Sequence, residues 1–227
     1  MIYHENIKRI QIVKESLGDL KDKVVFVGGA TVGLYTDKSS AEARPTDDID
    51  VVIELWSHSE YAAIDERLRD MGFVNDQASG IVCRYIIRDI IVDVMPTHND
   101  VLGFSNRWYP KGFATAIDYD LGQSSIRIFS PQYFIATKLE AFKSRGNNDG
   151  RTSTDFEDII FVLENNTRIW EDMEAGDDEV RTYLKKTFRE LLDKPHFGEW
   201  IDSHAGYGSP PATYFIINQL RAFVDNK

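Results

Sequence analysis

Ile7, Ile10, Ile12, Val13 and Leu17 recur at close to helical spacing and predict an opening helix over about residues 4–20. The unbroken apolar run Val24–Val27 then predicts a short buried strand, Gly28-Gly29 a turn, and Thr31–Tyr35 the first turns of a helix. A polar loop, Thr36–Pro45, leads to a second strand, Ile49–Leu55, entered through Asp48-Ile49-Asp50. Tyr61, Ile64, Leu68 and Met71 share one face of a helix over Ser57–Met71, which Gly72 stops. Two β-rich runs, Ile81–Ile87 and Asp89–Met95, flank a tight turn at Arg88-Asp89. A further strand pair, Thr115–Asp120 and Ser125–Phe129, turns at Leu121-Gly122. After Ser130-Pro131, a good helix start, the pattern is helical with breaks, over about 131–144, 153–164, 178–193 and 211–225. The expectation is therefore an α+β chain, with an α/β domain over residues 1–130 and a mainly helical domain over 131–227.

Composition narrows this picture. With 227 residues, 42% hydrophobic and 28% charged, the chain reads as an ordinary globular protein with one or two cores. No apolar run approaches the ~20 residues of a membrane span, so no membrane partner is expected. The N-terminus lacks a basic-then-apolar signal layout, and a single cysteine, Cys83 in an apolar strand-like run, leaves no disulfide within the chain. A cytoplasmic location is the expectation. The net charge of −11 argues against a surface broadly dedicated to nucleic acid, so any RNA substrate requires a local basic cleft.

The chemistry concentrates at the Gly-Gly turn and the Asp-x-Asp strand. Side chains two apart on a strand share a face, so Asp48 and Asp50 lie side by side near Gly28 and Gly29, while Asp47 points the other way. Adjacent carboxylates repel unless a cation holds them, and their hard oxygens suit Mg²⁺, with Mn²⁺ as its substitute. Free backbone N–H groups at a helix start suit phosphate. Asp93, near the end of the strand closed by Pro96, is a third carboxylate, and three acids on neighbouring strands would form a metal cluster. The competing structural explanation has Asp47 and Asp48 capping a loop or solvated and Asp50 paired with an arginine. Three acids in strand interiors without any cation would carry a large desolvation cost.

Gly28-Gly29 … Asp48-Ile49-Asp50 … Asp93 resembles the signature of the polymerase-beta-type nucleotidyltransferases. The longer form, Gly28-Gly-Ala-Thr … Arg44-Pro-Thr-Asp-Asp-Ile-Asp50, is similar more narrowly to the AbiEii/MenT-like group, the toxin partners of type IV toxin–antitoxin and abortive-infection systems. Ser130-Pro-Gln-Tyr-Phe-Ile-Ala-Thr-Lys138-Leu-Glu-Ala-Phe and the later Asp155-x-x-Asp158 extend the resemblance to about residues 24–164. It departs at Gly29, where a serine is common, and in a longer loop before Asp48. The resemblance implies a nucleotidyltransferase core that transfers a nucleoside monophosphate from an NTP. Gly28, Gly29 and Arg44 would approach the triphosphate, and Asp48, Asp50 and Asp93 would hold the metal, with Asp93 also serving the acceptor hydroxyl. Lys138 would neutralise the triphosphate, and Asp155 or Asp158 would orient it. It further implies a tRNA 3′ end as acceptor and a cognate antitoxin as partner.

Two rivals stand beside this reading. The negative charge suits a cationic small-molecule acceptor such as an aminoglycoside better than a polyanion. A non-catalytic nucleotide-binding or protein-partner module would keep the fold without the turnover. Among other residues, Lys143, Arg145 and Arg151 around Gly146–Gly150 are either a local basic patch or ordinary loop charges. Trp108 and Tyr109 near Lys111 are base-stacking candidates against the commoner explanation of buried aromatics. His196 and His204 lack a partner at metal-ligand spacing.

Overall fold

The computed structural model describes residues 2–37, 42–122, 124–206 and 212–226, with side chains from Glu5 onward. Residues 38–41 of the expected polar loop and residue 211 of the expected last helix lie outside that set. The chain divides into two compact units, Met1–Leu34 with Glu42–Ser130, and Tyr35–Ala41 with Pro131–Lys227.

In the first unit, α1 (Ile2–Ser16) precedes β1 (Val24–Val27), a 3-10 helix (Gly29–Tyr35) and β2 (Asp48–Ile53). Then come α2 (His58–Asp70), β3 (Val74–Asn75), β4 (Arg84–Ile87), β5 (Ile90–Pro96), α3 (Asn99–Leu102), α4 (Tyr109–Ala114), β6 (Ile117–Asp120) and β7 (Ser125–Ile128). The strands form one mixed sheet in the order β3-β4-β5-β2-β1-β7-β6, with β2–β5 and β1–β7 parallel and the remaining neighbours antiparallel. The α+β expectation holds. β1 is central and every one of its residues is buried, which is why it reads as an uninterrupted apolar run. In β2 the alternation survives at the entrance: Ile49 and Val51 are buried on one face, while Asp48 and Asp50 are half-buried on the other.

Local chemistry explains the hairpin beside it. Arg88 and Asp89 take φ of 48° and 64°, the double left-handed turn that matches strand twist in a two-residue hairpin. That turn sets the β4–β5 register, Ile87↔Ile90 through Arg84↔Asp93. β4 is shorter than the apolar run suggested, because residues 81–83 turn away toward the two-residue edge strand β3, too short to show any periodicity. α2 begins where Ser57 and Glu60 form a capping box. On the far face of β4, fully buried Tyr85 donates to Asp65 of α2 at 2.7 Å.

The second unit contains α5 (Pro131–Arg145), α6 (Thr154–Asn165), α7 (Ile169–Glu174), α8 (Asp178–Leu192), α9 (Phe197–Asp202) and α10 (Ala212–Asp225). α5 packs against α6, α7 and α8, and this surrounding explains its apolar character on nearly all sides. α7 and α9 are six residues each and gave no readable helical period. Phe142, Phe156 and Trp200 form an aromatic cluster, with the Phe156 ring 5.3 Å from Phe142 and 5.9 Å from Trp200. Gly150 packs so closely on it that an added Cβ would lie 2.8 Å from the indole.

The hairpin turn yields a first prediction. Two non-glycine residues at positive φ cost on the order of 1 kcal/mol each. The double change Arg88→Asn and Asp89→Gly should therefore raise unfolding stability by about 1 kcal/mol in a denaturant titration.

Candidate active site

Four adjacent strands bring the site together. The registers pair Arg84 of β4 with Asp93 of β5, Asp93 with Asp50 of β2, and Asp50 with Val27 of β1. Directly opposed residues share a sheet face, so Arg84, Asp93 and Asp50 form one row, with Asp48 two positions along β2. Asp48, Asp50 and Asp93 each place a carboxylate oxygen within 4.8 Å of the others'. Asp47 is exposed.

The Gly-Gly turn abuts this row. Gly28 has φ of +74°, and a Cβ there would lie 1.9 Å from Asp50 Oδ2, so only glycine lets the backbone pass so close to the carboxylate. A Cβ on Gly29 would lie 2.6 Å from an Arg44 guanidinium nitrogen, which places Arg44 against the same turn. Thr31 Oγ1 donates to the Gly28 carbonyl at 2.9 Å and braces the bend.

Two arginines outside the expected set complete the geometry. Arg9 of α1 donates to the carbonyls of Thr46 and Asp47, at 2.6 Å for the latter, and pins the chain where it enters β2. Arg84 forks onto Asp93, Nε to Oδ1 at 2.8 Å and Nη2 to Oδ2 at 2.7 Å, and Nη2 also reaches Asp48 Oδ2 at 3.3 Å. Hydrogen bonding to Asp93 raises the guanidinium pKa further above its ordinary value, so this group remains charged. Arg84 was legible in principle, since counting outward from a two-residue turn at 88–89 sets it opposite Asp93. Arg9 had no local signal.

The donor set fits a hard divalent cation. Three carboxylates offer hard oxygen ligands within 4.8 Å of one another, the donor type that Mg²⁺ takes.

The second unit holds the other cluster. Lys138 is buried, and its ammonium contacts Asp158 at 2.6 Å and Asp155 at 3.2 Å. Arg145 adds a bidentate pair to Asp155 at 2.7 and 2.8 Å. Two positive and two negative groups thus compensate one another, the condition under which buried charges are tolerated. Burial alone would raise the Asp155 pKa, but the Arg145 hydrogen bonds and the charges of Lys138 and Arg145 outweigh it and hold the carboxyl below its ordinary value.

The remaining candidates have ordinary partners. Lys143 donates to Thr187, Arg151 pairs with Asp149 at 2.7 Å, and Arg145 is committed to Asp155, so the loop residues do not form an unpaired basic patch. Trp108 is a buried core aromatic, and the half-buried Tyr109 packs on Phe129. His196 lies 3.2 Å from Glu199, and His204 lies 2.7 Å from the Gly150 carbonyl.

No protein-family model and no curated protein matches the sequence. Among solved structures, the chain aligns with an antigenic nucleotidyltransferase-like protein from Paracoccidioides brasiliensis at a TM-score of 0.53 and 16% identity, over 88% of this chain and 93% of that one. The fold is nucleotidyltransferase-like. The solution structure of the antibiotic-resistance factor ANT(2'')-Ia aligns at a TM-score of 0.48 and 14% identity, over 84% of this chain and 96% of that one, too loosely to add to this. No helix among the described residues is long and apolar enough to cross a membrane.

Two predictions arise here. Gly28→Ala should cost about 2 kcal/mol or more, because it combines a positive φ with a collision at Asp50. Gly80→Ala, at φ +69° in open space, should cost only about 1 kcal/mol in the same chemical denaturation assay. The second prediction concerns acid stability. Because the folded pKa of Asp155 lies below its unfolded value, ionised Asp155 contributes stability above the ordinary carboxylate range. That contribution is lost as pH falls through the lowered folded value. Arg145→Gln removes the largest favourable influence, so the midpoint of acid unfolding, followed by circular dichroism, should move to higher pH.

Proposed function

We propose that this protein is a Mg²⁺-dependent nucleotidyltransferase that moves a nucleoside monophosphate from an NTP onto an acceptor hydroxyl. One observation carries the reading: three carboxylates with oxygens within 4.8 Å of one another, on a nucleotidyltransferase-like fold, against the Gly28-Gly29 turn that Asp50 and Arg44 approach closely. Asp48, Asp50 and Asp93 would hold the cation. When bound, a divalent cation supplies charge neutralisation to the triphosphate and acidity to the attacking hydroxyl.

The chain's own residues supply the rest. The backbone of Gly28 and Gly29 offers N–H donors to phosphate oxygens, and Arg44, beside Gly29, offers a planar fork to the same anion. Asp93 accepts the proton of the acceptor hydroxyl at a carboxylate oxygen as the new oxygen–Pα bond forms. The Pα–oxygen bond to the β-phosphate breaks, and pyrophosphate leaves with that electron pair. Lys138, Asp155 and Asp158 pair with one another in the second unit, and their role toward the triphosphate rests on the resemblance alone.

For the acceptor, the resemblance to the AbiEii/MenT-like toxins favours a tRNA 3′ end, with a cognate antitoxin as partner. The net charge of −11 favours a cationic small molecule instead, and is the reason to keep aminoglycosides as the second reading. Incubation with α-phosphate-labelled NTPs, total tRNA and an aminoglycoside panel separates the two: the first expects labelled RNA, the second labelled drug. In either case Asp48→Ala and Asp50→Ala should lower Mg²⁺-dependent labelling by more than about 10²-fold, with circular dichroism unchanged. Full labelling by the Asp48→Ala protein would remove the proposal, and NTP binding without turnover on any acceptor would favour a non-catalytic module.

A further inference from the structure

The three carboxylates already have a cation. Arg84 makes a two-point fork on Asp93 and a longer contact to Asp48. Its side chain is only 20% exposed, so this is an inward-directed charge from a neighbouring strand rather than a solvated surface arginine. Its placement follows from the two-residue β4–β5 turn, which leaves no slack in register. Without Arg84, the mutual repulsion of the Asp48 and Asp93 carboxylates would rise.

We propose that Arg84 is a tethered counter-cation that holds the carboxylate cluster together in the metal-free protein and competes with the divalent ion for it. This rests on the metal-binding reading of the cluster given above. The two contacts differ in strength in a way that sets the order of events. The fork on Asp93 has two short, charge-assisted bonds, while the bond to Asp48 is single and long at 3.3 Å. The contact to Asp48 is thus the one that Arg84 would yield to a divalent ion, while the fork on Asp93 would stay in place. Arg84 would then orient Asp93 from behind, and it remains a positioning residue throughout.

A competing cation and a purely structural brace make opposite predictions for metal affinity. Removing a competitor tightens binding, whereas removing a brace loosens the ligands and weakens it. The measurement is Mn²⁺ binding to the full chain by electron paramagnetic resonance titration, without nucleotide, paired with thermal unfolding in chelator and in saturating Mn²⁺. Arg84→Gln is expected to bind Mn²⁺ about tenfold more tightly than the wild type. It is also expected to melt lower in chelator and to recover most of that loss with Mn²⁺. Arg84→Lys keeps the charge and is expected to stay within about threefold of wild-type affinity, which also covers the case where the glutamine variant does not fold. Unchanged or weaker Mn²⁺ binding by a folded Arg84→Gln protein, with the wild type binding normally, overturns the proposal while leaving the metal reading intact. A lysine variant that binds about tenfold more tightly than the wild type overturns it as well. Absence of Mn²⁺ binding by the wild type and by both variants removes the metal reading and this proposal with it.

Discussion

Mutual repulsion among three carboxylates is the constraint around which the first unit is arranged. Asp48, Asp50 and Asp93 stand on two parallel, adjacent strands with oxygens within 4.8 Å of one another, an arrangement that requires positive charge. The chain supplies one such charge from β4 through Arg84, and it fixes the strand entrance from α1 through Arg9. Gly28 removes the side chain that would collide with Asp50. Hairpin turn, sheet register and glycine turn are separate local solutions to one electrostatic problem.

The second unit handles buried charge in a different way. Lys138, Asp155 and Asp158 are buried, the exposed Arg145 reaches Asp155 as well, and each acid has a short contact to a base. On the sheet, three carboxylates lie within 4.8 Å of one another with Arg84 on two of them. A gathering of hard oxygens suits a divalent cation, while a set of matched opposite charges does not. That contrast is why the metal reading attaches to Asp48, Asp50 and Asp93.

Several parts of the fold were readable because they depend on neighbours in sequence. The alternation Asp48-Ile49-Asp50-Val51 put two acids on one face, the all-apolar Val24–Val27 marked a buried strand, and Tyr61, Ile64 and Leu68 marked a helix face. Short elements escaped for the same reason: two residues of β3 or six of α9 do not complete a detectable period. Trp108 shows the limit of reading by residue type, since a tryptophan near a lysine looks like a stacking platform until its burial is known.

What the sequence by itself determined was the local layout of the proposed site: the Gly-Gly turn, the Asp-x-Asp entrance and the strand that carries Asp93. These follow from strand alternation and turn stereochemistry, which act over a few residues. Only the tertiary structure decided how they combine. The parallel β2–β5 pairing that sets Asp50 beside Asp93 joins segments some forty residues apart, and no local periodicity encodes such a register. The same pairing brought Asp48 within reach of Arg84, which the β4–β5 hairpin had set opposite Asp93. Lys138 likewise showed its burial and its partners only once α5 and α6 were packed, because charge compensation is a property of facing surfaces and not of the chain that forms them.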